Sequence, residues 1–176
     1  SWARRWVEET DIPVIVGTNR DEGTMFAPRK AFGGTLENYK AAMTERYGAH
    51  GDKVAEFYAP ASNDKLWGVA VKHISDTWFI QPSRECARAM DRQKTSVWMY
   101  HFTKPVWGWM GAAHAAEIGY VFGSLEEPEP EDAALSSAFM DYWVQFAKSG
   151  NPNVDGKPHW IAYSTCKDQH LVMSVS

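Results

Sequence analysis

The sequence predicts an α/β fold, two main strands of a parallel sheet with flanking helices, and three observations carry that reading. The run Ile12-Pro13-Val14-Ile15-Val16-Gly17 is short, β-branched and continuously apolar, the composition of a strand buried on both faces. Thr95-Ser96-Val97-Trp98-Met99-Tyr100-His101-Phe102 is a second run of that kind. Between and after them, apolar residues recur at helical spacing. Two such strands do not complete a sheet, because a strand buried on both faces needs strand neighbours at its edges. The fold is therefore expected to be incomplete as a domain, its aromatic surface packing against a partner chain, a second copy or the remainder of a larger domain.

Taken in order, Trp2 to Glu8 reads as the end of a helix, with Trp2, Trp6 and Val7 on one side. The first strand follows, then turn chemistry from Asn19 to Gly23. Leu36, Tyr39, Lys40 and Met43 lie at i, i+3, i+4 and i+7 behind Thr35, which is suited to the N-cap. Ser62 is placed to cap a longer helix through Leu66, Val69, Ala70, His73 and Trp78. Pro82 marks a break or a fresh start, and Arg84 to Arg92 resumes helical composition. After the second strand comes a Gly- and Trp-rich loop reaching Ala113. The acidic, Pro-bearing stretch Glu126–Asp132 reads as a surface loop within one domain. The last helix carries an aromatic stripe, Leu135, Phe139, Tyr142, Trp143 and Phe146, closed by Lys148, Gly150 and Pro152.

Composition narrows the function classes. The 176 residues hold 18 Lys plus Arg against 22 Asp plus Glu, a formal charge of −4 that argues against nucleic acid or an anionic membrane as partner. No apolar run is long enough to span a bilayer. Two cysteines, Cys86 and Cys166, cannot form a disulfide-dense scaffold and are expected to be reduced. The chain starts at Ser1 and has 9 Trp, both in keeping with a processed or excised piece.

Chemistry concentrates beyond the two strands, where parallel sheets gather functional groups. Asp21 and Glu22 follow the first strand and His114 follows the second. An acid on one such loop can accept from one imidazole nitrogen, fix the tautomer and leave the other nitrogen to act as a base. His114-x-x-Glu117 and His73-x-x-Asp76 could each place two metal ligands on a helix face, but the second copy that such sites need is absent. His101 is expected to be half-buried in its strand, and His50, His159 and His170 at the surface. Trp107 and Trp109 with Met110 either line a substrate entrance beside His114 or pack a long loop.

The wording around these residues is more specific than their spacing. Val14-Ile15-Val16-Gly17-Thr18-Asn19-Arg20-Asp21-Glu22-Gly23 resembles the triad-acid segment of type-B carboxylesterases, the cholinesterase-like family. Gly111-Ala112-Ala113-His114-Ala115-Ala116-Glu117-Ile118-Gly119-Tyr120-Val121-Phe122-Gly123 is similar to that family's catalytic-histidine segment. Ser75–Glu85 and Tyr142–Asn153 resemble its intervening and late helices in the same order, and Trp160 with Tyr163 resembles its terminal element in altered form. The resemblance implies the C-terminal portion of an α/β-hydrolase catalytic domain over 1–176. It makes Glu22 the triad acid and His114 the base, gives Glu117 a supporting position under the histidine loop, and makes Asp76 structural. Met25 and Phe26 fall where the family places pocket side chains, Phe26 serving either as core or as ligand contact.

The pattern also demands what is not here. No serine stands in a Gly-x-Ser-x-Gly elbow, and the one Gly-Gly pair, Gly33-Gly34, follows the acid instead of an early strand. Without that hydroxyl no acyl-enzyme forms. The expectation is a chain that supplies the acid and base for hydrolysis of a small carboxylic ester, inactive alone and completed by an N-terminal portion bearing the nucleophile. The resemblance implies no cofactor and no metal, and leaves a homo-oligomer open. It is compatible with a secreted or periplasmic protein as well as a cytoplasmic one. The alternative is a non-catalytic interaction or adhesion domain on the same fold.

Overall fold

The structure, a computed structural model, describes residues 12–175. The helix end expected from Trp2 to Glu8 lies outside the described residues. The architecture is a three-stranded parallel sheet, β1 (Val14–Asn19), β2 (Val97–Phe102) and β3 (Leu171–Met173), in that spatial order. Among the described residues no strand pairs with the outer edge of β1.

The first strand begins two residues later than its apolar run and ends two later. Ile12 is 64% exposed, and Pro13 has no N–H to give to a ladder. At the other end Thr18 and Asn19 are buried and pair in register with His101 and Phe102. Gly17 faces Tyr100 in that register, and a Cβ there would stand 1.9 Å from the tyrosine ring.

Helices cover both faces of β2, which explains its unbroken apolar character. Trp98, Tyr100 and Phe102 pack with Phe139, Tyr142 and Trp160, from α6 (Pro130–Ser149) and the segment after it. Val97 and Met99 point the other way, against Ala87 of α4 (Gln81–Arg92) and Tyr163. Alternation along one strand thus serves two cores.

Between β1 and β2 the chain builds a helical module. Thr35 caps α1 (Leu36–Tyr47) by accepting from the Asn38 N–H, as its residue type predicts. Then come α2 (Gly51–Tyr58), which the periodicity does not reveal, and α3 (Leu66–Ile74). Tyr39, Met43, Ala55 and Leu66 form their common core. Ser62 does not cap α3. Its hydroxyl turns to Asp64, and a short 3-10 turn, Asn63–Lys65, leads in.

Pro82 does not break the helix. The chain runs from Leu66 to Arg92 through a π-helical stretch, Ser75–Ile80, where the Gln81 N–H reaches back to the Asp76 carbonyl. The widened turn lets a residue without an N–H enter the next helix at its start. After β2 the short α5 (Ile118–Val121) precedes α6, which begins within the acidic stretch at Pro130 and ends at a left-handed Gly150. The stretch divides: residues 126–129 form an exposed loop as expected, and Pro130 opens the helix, with Glu131 and Asp132 in the first turn where the helix dipole favours them.

Candidate functional site

Glu22 opens a 3-10 turn, Glu22–Met25, directly after β1. The Asn19 N–H donates to its Oε1 at 2.8 Å, so the carboxyl folds back over the strand end. The turn is held from behind. The Gly23 N–H donates to the Ser75 hydroxyl at 2.9 Å, and that hydroxyl donates to the Val71 carbonyl. Close packing permits no side chain at position 23, where a Cβ would stand 2.1 Å from the Val71 carbonyl oxygen.

His114 arrives from the loop after β2, which is stitched to the acid turn. The Asp21 N–H donates to the Ala112 carbonyl, and the Ala112 N–H donates to Asp21 Oδ2 at 2.8 Å. Gly111, at φ 65°, must be glycine, since a Cβ would fall 2.3 Å from that same carboxylate oxygen. Ala115 also takes a left-handed φ of 67°, a conformation that costs an L-residue on the order of 1 kcal/mol and that the surrounding contacts enforce.

These two loops bring Glu22 Oε2 within 2.6 Å of His114 Nδ1. With the Nδ1 proton donated to the carboxylate, Nε2 is the acceptor nitrogen, and it has no partner among the described residues. The Glu22 residue is 5% exposed while the His114 side chain is 45% exposed, so the acid lies beneath the base and the base faces outward. Burial pushes the Glu22 carboxyl above the usual carboxylate range, and the Asn19 N–H and His114 draw it partly back.

The remaining sequence-predicted residues separate. Glu117 joins the site: it accepts from the Asn19 side-chain amide and, at 3.4 Å, from the Tyr100 hydroxyl. Asp76 does not reach it. It accepts from the Tyr58 hydroxyl at 2.9 Å inside the helical module, beside the buried His73 and its partner Tyr47. Phe26 is neither core nor remote. It is 41% exposed, with its ring 5.6 Å from His114 and 5.9 Å from Trp78. Phe79 closes the other side at 5.0 Å from His114.

Met25 and Trp109, both well exposed, line a cleft of about 730 Å³ with Trp67, Met110 and Arg29. Trp107 is exposed but is not among the residues lining that cleft. Asn19, Ser75 and Phe79 carry no individual signal in the sequence. Each matters through a partner 35 or more positions away, a relation that local spacing does not encode. Among the described residues no group of three or more His, Cys, Asp or Glu could hold a metal ion, and no helix is long and apolar enough to cross a membrane.

Comparison with known proteins gives the family and the fold. The model of the carboxylesterase family matches residues 3–176. The chain is 35% identical over 163 residues to the fumonisin B1 esterase of Sphingopyxis macrogoltabida, covering 85% of this chain and 30% of that protein. It is 31% identical over 175 residues to the para-nitrobenzyl esterase of Bacillus subtilis, covering 92% of this chain and 34% of that one. A solved structure of a PNB esterase superposes with a TM-score of 0.70 at 28% identity, covering 92% of this chain and 34% of the other. The chain spans about a third of the length of the curated relatives it matches. The superposition gives the fold as part of an α/β-hydrolase, as expected.

Proposed function

The chain belongs to the carboxylesterase family, and on that premise we propose that it supplies the acid and base of a Ser-His-Glu esterase whose nucleophile lies outside these 176 residues. The observation that carries the proposal is the 2.6 Å bond between Glu22 and His114 Nδ1, with no partner on Nε2 among the described residues.

Each residue then has a stated task. Nε2 takes the proton of an attacking serine hydroxyl as that oxygen bonds to the ester carbonyl carbon, and returns it to the departing alkoxide as the ester C–O bond breaks. Water repeats the sequence and releases the acid. Glu22 fixes the tautomer and stabilises the imidazolium that forms in between. Its burial strengthens that interaction by excluding water from one side. Phe26 and Phe79 flank the imidazole and shape the space beside the reacting carbonyl. The substrate class is a small carboxylic ester, in keeping with relatives named for fumonisin B1 and for para-nitrobenzyl esters. No residue here supplies a nucleophile in a glycine-flanked elbow, so 1–176 is the C-terminal portion of the catalytic domain and is inactive alone.

The test is turnover of a short-chain p-nitrophenyl ester. The isolated chain is expected to stay at the rate of the uncatalysed reaction, and the complete protein to hydrolyse the ester. Turnover by the isolated chain at an ordinary esterase rate, abolished by His114→Ala, would overturn the division of the triad.

A further inference from the structure

We propose that Asn19 is a positioning residue of this site, a clamp that holds the histidine loop against the strand end carrying the acid. The inference rests on the reading of Glu22 and His114 as acid and base. Asn19 is the last residue of β1 and is 1% exposed. Its backbone N–H donates to Glu22 Oε1 at 2.8 Å, while its side-chain Nδ2 donates to the Ala113 carbonyl at 2.8 Å and to Glu117 Oε2. Ala113 immediately precedes His114, and Glu117 lies three residues after it. One residue therefore touches the acid directly and grips the base from both sides of its position in the chain.

The amide can face only one way. Both groups opposite Nδ2 are acceptors, so the reversed orientation would set oxygen against a carbonyl and a carboxylate. The price of this arrangement is visible at the other atom: Asn19 Oδ1 is buried with no partner among the described residues, and an unpaired buried acceptor is destabilising. A side chain chosen for packing alone would not leave that orphan. Tyr100 completes the clamp from β2. Burial, reinforced by the Glu117 charge, raises its phenol above the ordinary value, which keeps it a donor to Glu117. The charged and titratable groups facing Asn19 are thus Glu22 from the acid turn, Glu117 from the histidine loop and Tyr100 from β2, with the Arg20–Asp21 pair beside them.

The test is made in the complete enzyme carrying this chain, with a p-nitrophenyl ester, reading kcat and KM separately and across pH. Asn19→Ala is expected to lower kcat roughly ten- to a hundredfold, with KM changed less than about twofold, because the base is misplaced while the ester's binding surface stays. Asn19→Asp keeps the shape, removes both donors and adds a negative charge beside Glu117. It is expected to lower kcat further and to move the acidic limb of the kcat/KM profile to higher pH, since the added charge favours the imidazolium.

A merely structural Asn19 would lower the melting temperature and leave kcat and that limb in place, and this result overturns the proposal. If neither variant is recovered folded, Tyr100→Phe carries the test: it removes one hydroxyl from Glu117, and an unchanged kcat and limb there overturns the clamp. Failure of the underlying assignment reads differently, as full activity in Glu22→Gln.

Discussion

At the scale of single residues, burial decides what each titratable group does. Glu22 lies under the sheet end and His114 above it, so the acid is held by fixed donors while the base meets solvent. His73 shows the opposite use of burial. It is 4% exposed and hydrogen bonded to the Tyr47 hydroxyl, and burial lowers its pKa, with the Arg46 charge adding to the effect and Asp76 opposing it. The folded state therefore resists a proton that the unfolded chain accepts near pH 6.5. Stability is full above that value and falls as the pH drops through it toward the depressed folded pKa. The melting temperature is expected to decline between about pH 7.5 and 5. His73→Gln should flatten that slope without abolishing it, because burial also lowers His101 and His170. An identical slope in His73→Gln, followed by differential scanning fluorimetry, would contradict this role.

At the scale of elements, the site depends on a helix that carries neither the acid nor the base. The π-helical stretch, Ser75–Ile80, puts Ser75 against the acid turn and Phe79 against the imidazole from one continuous run. Ser75→Ala would leave the Gly23 N–H buried without its acceptor, a loss of about 1–3 kcal/mol of stability. Urea denaturation checks this through a lower midpoint at unchanged slope. A variant as stable as the parent would contradict it.

The same stretch shows why some of the fold was legible in the sequence and some was not. The β-branched runs of β1 and β2, the Thr35 cap and the aromatic stripe of α6 are local patterns, and each reads directly. Pro82 is a local breaker whose effect is overridden by the wide turn before it. The three-residue β3 carries too few residues to show a period, and the Gly51 start of α2 hides it behind a helix-weak residue. Glu22 and His114 read as an acid and base because each follows a strand, in a segment that resembles the family's. Asn19 and Ser75 lie in such segments too, but their tasks do not read from them, because the bonds that set those tasks reach across 94 and 52 positions.

At the scale of the whole molecule, the sheet is the unfinished feature. β2 is covered on both faces and paired on both edges, whereas β1, the strand that delivers the acid, has no strand on its outer edge among the described residues. In the proposed enzyme that edge is where the nucleophile-bearing portion joins, and the exposed Nε2 faces its serine. Covalent labelling of the complete protein by a fluorophosphonate, located by peptide mass spectrometry, tests this most directly. An adduct is expected on one serine outside residues 1–176, with the labelling rate reduced by roughly a thousandfold or more in His114→Ala. An adduct on a serine within these residues, or a rate indifferent to His114, would contradict it.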